Sequence, residues 1–330
     1  MTAENRPENI KIGQIELALP IFFPSVSSVK TNLKPAEYAG VLSSVSALNR
    51  QFLVSAFDLS HASADEKIVL RQSLAKSLEA GNVVLLDSGN YESFWKSAKD
   101  KWQQARFHEV LQTFPFSIAF SFDEQNPPAK AEDHIGLIIE RWQQDQAAAG
   151  SKPIIPIIHE NPNILPSLCA RVAESTGVNM IAVPERRLGE GIFNRANTVK
   201  EIRQALSATG RYIALHLLGT GNPISLAIYT LSGADSFDGL EWCQTVVDHD
   251  TALLFHSTQF DFFRGQTDWG DKNLSFVART LTHNLEFYTD WMKRLSQAAH
   301  ENKGIDFCRA NFPRKIFTMS ATALGWEQQT

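Results

Sequence analysis

Eight short apolar runs, each closing on a polar residue or a glycine, constrain this chain more than any other feature. They are "IFFPSV" (21–26), "FLVSAFD" (52–58), "VVLLD" (83–87), "FSIAFSFD" (116–123), "PIIPIIHE" (153–160), "NMIAVPE" (179–185), "YIALHLLG" (212–219) and "ADSFDGL" (234–240). Most are too short for helices and apolar on both faces, as strands of a parallel sheet are. Longer amphipathic stretches lie between them, at 64–80, 99–112, 131–148, 164–175, 195–208 and 222–232. Strand alternating with helix predicts an α/β fold, and eight strands predict a closed (β/α)8 TIM barrel. A doubly wound open sheet is the alternative. The 330 residues suit one large barrel domain, 1–330, with the barrel at about 15–245. Beyond residue 241 the pattern changes. "TALLFHSTQFDFFRGQTDWG" is aromatic-rich and irregular, 272–299 reads as one long helix, and the tail carries Arg309, Arg314 and Lys315. A C-terminal helical extension on the barrel is therefore expected.

Composition narrows the function classes. A net charge of −5 gives no global field that recruits nucleic acid, although a local basic patch remains open. Three separated cysteines, Cys169, Cys243 and Cys308, argue for a reducing compartment and against a disulfide framework. There is no CxxC pair to suggest a structural zinc site. The polar start "MTAENRPENIKIG" lacks a signal-peptide core, and no apolar run approaches the roughly 18 residues of a membrane helix. A cytoplasmic protein without membrane association is expected. The Gly219-Thr220-Gly221 turn is half a dinucleotide fingerprint, without the third glycine and too late in the chain to count.

In barrels, function collects at the C-terminal ends of the strands. Those ends carry Asp58, Asp87, Asp123, His159 with Glu160, Glu185, Gly219 and Asp238. Converging carboxylates repel and resist burial, so such a ring points to chemistry rather than stability. Asp58 alone reads equally well as a helix-start residue. Metal-assisted hydrolysis would use His159 and His216, but no HxH or HxxxH pair stands at a strand end. Glycosyl chemistry needs paired acids, one as nucleophile and one as proton donor. Transfer of a nucleobase needs, in addition, an aromatic face for stacking, which Tyr91 supplies four residues after Asp87.

At these residues the chain resembles the tRNA-guanine transglycosylase family, enzymes that exchange a genetically encoded guanine for a 7-deazaguanine. "LPIFFPSVSSVKTNLKPAEY" is similar to the family's first strand and following helix start. "LLDSGNYESF" resembles its TDSGGFQ element, and "AFSFDEQNPP" its AFDEC segment. "IAVPERRLGEG" resembles the IGGLAVGEG loop at Ala182, Gly189, Glu190 and Gly191. "LHLLGTGNPISL", "SGADSFDGL" and "THNLEFYTDWMKRL" are similar to three further motifs in the same order. The resemblance implies Asp238 as nucleophile on the ribose anomeric carbon and Asp87 as the acid that moves a proton to or from the base. It implies substrate contacts from Ser88 and Asn90, a sandwich of the base between Tyr91 and Leu218, and close backbone approach at Gly219 and Gly221. Asp123 would read the amide and amino edge of guanine. No cofactor is implied.

The departures from the family are as specific. Pro184 and Glu185 stand where two glycines meet the base, His159 where a glutamine reads it, and Gln125 where a cysteine follows Asp123. Arg186 or Arg187 would neutralise Glu185 or hold a phosphate. The zinc-binding CxCxxC is missing while His283 of "THNLEF" remains, and Trp242-Cys243-Gln244 replaces a proline-threonine-arginine turn. This pattern implies a divergent, zinc-less branch allied to relatives that insert 7-deazaguanines into DNA. Its partners would be guanine or a 7-deazaguanine base, and tRNA or DNA gripped by Arg186, Arg187 and Arg264, with Arg195, Arg309, Arg314 and Lys315 as further candidates. The family's homodimer is a candidate assembly, with the aromatic segment around Phe255, Phe260, Phe262, Phe263 and Trp269 either core or contact surface. Two other readings stand beside base exchange: a non-catalytic subunit or deazapurine-binding barrel, and a hydrolase with water as the acceptor.

Overall fold

The computed structural model describes residues 6–29, 31, 33–45, 47–48, 50–96, 102–128 and 130–326. Among the described residues the strands are β1 (Asn9–Ile12), β2 (Ile15–Ala18), β3 (Ile21–Val26), β4 (Gln51–Ser55), β5 (Val83–Asp87), β6 (Ile118–Phe120), β7 (Ile154–Ile155), β8 (Met180–Pro184), β9 (Ala214–Leu218), β10 (Ser236–Gly239), β11 (Thr245–Val247) and β12 (Leu254–His256). The helices are α1 (Pro35–Ser44), α2 (Ala56–His61), α3 (Ala64–Glu79), α4 (Asn90–Lys96), α5 (Gln104–Thr113), α6 (Ala131–Ala149), α7 (Leu165–Thr176), α8 (Ile192–Ser207), α9 (Pro223–Ser232), α10 (Glu241–Gln244), α11 (Phe276–His300), α12 (Gly304–Asn311) and α13 (Arg314–Leu324).

Strands β3 to β10 form one eight-stranded parallel sheet in the order β7-β6-β5-β4-β3-β10-β9-β8. Its two ends meet. Ile158 N–H donates to Ala182 O at 2.9 Å, and Ala182 N–H donates to Pro156 O at 3.0 Å. The chain is a (β/α)8 barrel with a helical extension, and the open-sheet alternative is overturned. All eight apolar runs supply barrel strands, and the amphipathic stretches supply the intervening helices; residues 99–101 of the expected 99–112 helix lie outside the described residues. No helix among the described residues is long and apolar enough to cross a membrane.

Three boundaries differ from expectation for local reasons. β4 ends at Ser55 because the chain turns directly into α2, so Asp58 is not at a strand end. It sits in the first turn of α2, where its Oδ2 accepts from Ser28 N–H at 2.7 Å. β7 is cut to two residues by Pro153 and Pro156, which flank it and have no N–H for the ladder. β6 ends at Phe120, and Phe122 N–H is drawn instead to the buried Asp145 carboxylate at 2.6 Å.

The period-2 alternation of strands sorts the side chains. Phe22, Val84, Leu86, Ile181, Val183, Leu215, Leu217 and Phe237 point outward into the layer beneath the helices. Phe23, Leu53, Leu85, Ile118, Phe120, Ile155, Met180, Ala182 and Ala214 point into the barrel, which the β1–β2 hairpin closes at its N-terminal end through Ile10, Ile12, Leu17 and Leu19. The same parity carries Ser25, Asp87, Pro184, Leu218 and Asp238 to the inner side at the opposite end.

The "THN" of α11 clamps the extension to the barrel. Asn284 Nδ2 donates to Trp242 O and Thr245 O, both at 2.8 Å, while its Oδ1 accepts from Val247 N–H at 3.0 Å. His283 Nε2 lies 2.8 Å from Val247 O, and its ring packs 4.2 Å from that of His249. Phe260 joins this core edge-on to His283, whereas Phe262 is 81% exposed, so the aromatic segment is divided between core and surface. Burial holds His283 down at about 4, with the neighbouring His249 adding to the effect. A base with a depressed folded value contributes stability above its ordinary 6.5 that is lost as pH falls toward 4, on the order of 3 kcal/mol. The unfolding midpoint should therefore drop more steeply from pH 6.5 to 4 in the native chain than in His283→Gln; equal slopes in a pH series of thermal melts would remove His283 as the cause.

Candidate active site

The inner-facing residues at the C-terminal ends of the strands enclose a cavity of about 370 Å³, within the range of about 300–1,000 Å³ of small-molecule sites. Asp87, Ser88, Tyr91, Asp123, His159, Glu185, Arg186, Leu218, Gly219 and Asp238 all line it. Asn90 stands behind the wall, donating from Nδ2 to Asp123 Oδ1 at 2.9 Å, and Arg187 reaches His159 Nδ1 at 3.4 Å. Arg264 lies elsewhere. It is exposed on a 3-10 turn outside the barrel and paired with Asp271 at 2.8 Å. Arg309, Arg314 and Lys315 belong to α12 and α13, which pack over α9 and α8 in the outer layer.

Asp238 is fixed from both neighbouring strands. Ser25 Oγ of β3 donates to its Oδ2 at 2.7 Å; His216 Nε2 of β9 and Gly219 N–H both reach its Oδ1 at 3.1 Å. Ser236 Oγ in turn holds His216 Nδ1 at 2.7 Å. Gly219 presents its N–H from a left-handed turn, φ +77°.

Asp87 is held by a parallel device, accepting at Oδ2 from Gly89 N–H at 2.9 Å, with Gly89 at φ +86°. Its electrostatics are different. Burial, together with the negative charges of Glu92, Asp123 and Asp238, pushes the Asp87 carboxyl well above the usual carboxylate range. The shift favours its protonated form, which is the state a proton donor needs.

Asp123 is the opposite case. Burial alone would raise it, but hydrogen bonds from His159, Ser88 and Asn90 hold it down at about 2. Oδ1 accepts from Ser88 Oγ at 2.7 Å and from Asn90; Oδ2 faces His159 Nε2 at 2.6 Å and accepts from Gln125 Nε2. Arg187 donates to His159 Nδ1, which leaves the ring proton on Nε2, directed at Asp123. Both oxygens are thus already engaged by the protein's own donors. The expectation that Asp123 accepts from a base edge meets a carboxylate with no open position. Glu185 is likewise engaged, and by a different partner from the one expected. Arg195 Nη1 pairs with it at 3.0 Å and Tyr229 OH donates to it at 2.9 Å, not Arg186 or Arg187.

Two wall residues escape a reading of strand ends. Glu92 lies in the first turn of α4 and accepts from Ser27 Oγ at 2.7 Å and Ser55 Oγ at 2.8 Å; burial and the charge of Asp58 push it up to about 7. Glu241 opens α10 and is raised to about 7 by burial, and it stands so close to Gly221 and Gly239 that neither position has room for a Cβ. The sequence signal for Glu92 was Ser27, a small hydroxyl directly after an apolar strand. Of the remaining marked residues, Glu160 faces His134 Nδ1 at 3.3 Å. Among the described residues no three His, Cys, Asp or Glu side chains form a group that could hold a metal ion.

No protein-family model matches the chain, and no curated protein is significantly similar to it. The function must be argued from the site itself.

The two glycines give a paired test of this geometry. A Cβ at Gly89 would lie 2.5 Å from Phe57 N, whereas one at Gly219 meets no atom within 4 Å. Both carry the left-handed penalty of about 1–2 kcal/mol. Gly89→Ala should destabilise by clearly more than Gly219→Ala in urea unfolding; equal losses would show that Phe57 does not press on the turn that holds Asp87.

Proposed function

We propose that the chain is a glycosyltransferase of the base-exchange type, acting by double displacement in the manner of the tRNA-guanine transglycosylases. The observation that carries this reading is the unequal pair of acids in one cavity. Asp238 is pinned by donors from both flanking strands, and Asp87 is raised by burial and like charge. Glycosyl chemistry requires that inequality: a carboxylate to attack the anomeric carbon and an acid to protonate the departing base.

In the first half-reaction a carboxylate oxygen of Asp238 forms a bond to the anomeric carbon as the C–N bond to the base breaks. The electron pair of that bond leaves with the base, which takes the Asp87 proton. In the second, Asp87, now ionised, removes the proton from an incoming base, whose nitrogen displaces Asp238. Tyr91 and Leu218 stand on the cavity wall as stacking surfaces. Asp238 binds no proton at any step, and Asp87 ends as it began.

The second reading is a deazapurine-binding barrel without turnover; the occupied Asp123, closed to the guanine edge, tells against exchange of guanine itself. One experiment separates the two. Labelled guanine and 7-deazaguanine bases are incubated with bulk tRNA and with single- and double-stranded DNA, beside Asp238→Ala and Asp87→Asn. Base exchange predicts label in one polymer, none with Asp238→Ala, and a loss of about 10²–10⁴-fold with Asp87→Asn. It also predicts activity that falls as pH rises through the raised Asp87 value. Bound base with no label in any polymer supports the binding reading, and undiminished exchange by Asp238→Ala contradicts the mechanism.

A further inference from the structure

The wall beside β8 carries positive charge without a partner. Arg186 and Arg187 are consecutive on the 3-10 turn that follows β8, and no carboxylate lies within 4.0 Å of either guanidinium among the described residues. Their contacts are with neutral groups. Arg186 donates from Nη2 to Gln125 Oε1; Arg187 donates from Nη2 to Gln125 O at 2.5 Å and from Nε to His159 Nδ1. Neutral acceptors orient a guanidinium without cancelling its charge. The arrangement opposes the ordinary interest of stability, because half-burial of Arg187 and the like charge of Arg186 outweigh the attraction of Glu160 and lower its pKa.

The acids on this part of the wall have other hydrogen-bond partners, Glu160 included: its charge bears on Arg187, but its carboxylate accepts from Asn161 N–H at 2.8 Å and faces His134 at 3.3 Å. Glu185, the residue before them, is paired with Arg195 and Tyr229, and Asp123 with His159, Ser88, Asn90 and Gln125. The chain therefore spends its acceptors internally and turns a donor toward the cavity, where Arg186 shares the lining with Asp87, Leu218 and Asp238. A neutral base edge made of N–H donors finds no complement on this side. An oxyanion does, since a guanidinium matches carboxylate or phosphate with two parallel hydrogen bonds.

We infer that Arg186 and Arg187 form an oxyanion subsite at the cavity, so that the substrate carries a carboxylate or a phosphate on the side facing β8. The two sources share one chemistry: a carboxylate borne by the base, or the phosphate of the nucleotide whose glycosidic bond lies at Asp238. The identity of the body that carries the anion rests on the proposed base-exchange reading, whereas binding of an oxyanion by the two arginines does not.

The test is a calorimetric titration of the native chain, Arg186→Gln and Arg187→Gln with five purine probes: guanine, 7-deazaguanine bearing a 7-carboxylate, guanosine, and guanosine 5′- and 3′-monophosphate. Inorganic phosphate, followed by phosphorus NMR line broadening, probes the pair with no purine at all. The anionic member should bind about tenfold or more tightly than its neutral counterpart, as charge-assisted hydrogen bonds do. Either substitution should erase that advantage and leave the neutral ligand unchanged. Preference for the carboxylated base assigns the anion to the base; preference for a monophosphate assigns it to the nucleotide. Equal affinity of neutral and anionic ligands, or no binding of any anionic probe, overturns the subsite. An oxyanion preference without base exchange would leave the subsite standing and remove the transglycosylase reading; exchange of neutral bases untouched by Arg186→Gln would do the reverse.

Discussion

The structure depends on the insertion of β10 between β3 and β9. Strands far apart in the chain become neighbours, with Asp238 in register with Phe23 and Ser236 with His216. That register alone sets Asp238 between a serine hydroxyl on one side and an imidazole and a backbone N–H on the other. Parallel strands need crossover connections, so this carboxylate cannot be positioned until the barrel is nearly complete. Trp242 reinforces the placement from below, its indole N–H bound to Ser25 O at 2.8 Å, and Asn284 of α11 holds Trp242 O in turn. Helix α11 is thus tied, through two hydrogen bonds, to the strand that presents Ser25 to Asp238.

The cavity gives its acids different environments. Asp123 and Glu185 are supplied with donors and serve as fixed parts of the wall; Asp87, Glu92 and Glu241 are buried with too few donors to offset burial and are raised. Asp238 is oriented by its three contacts. One site thereby contains a nucleophile candidate, a proton-donor candidate and a donor-rich wall, although most of its titratable residues are carboxylic acids. The positive charge of Arg186 and Arg187 completes this arrangement rather than neutralising it.

Much of this was legible in the sequence. Eight apolar runs gave the strands, and the period of two within "VVLLD" and "ADSFDGL" sets Asp87 and Asp238 on the same inner side as Leu85 and Ser236. What could not be read was anything decided by contacts between distant segments. The pairing of Glu185 with Arg195 crosses from a strand end to a helix, and the four donors on Asp123 come from three different loops. Glu92 was hidden because its serines belong to β4 and the turn after β3. Arg264 shows the same limit from the other side: basic residues scattered along a chain carry no information about which face they share, and this one pairs with Asp271 away from the cavity.

The central claim is that Asp87 holds a proton at neutral pH while Asp238 stands beside it as the attacking group. Infrared difference spectroscopy of the native chain against Asp87→Asn at pH 7 addresses it directly, because a protonated carboxyl and a carboxylate absorb in separate regions. The account predicts that the substitution removes intensity from the protonated-carboxyl band and leaves the carboxylate bands in place. Loss from the carboxylate bands instead would mean that Asp87 is ionised, and the division of labour between the two acids would fall with it.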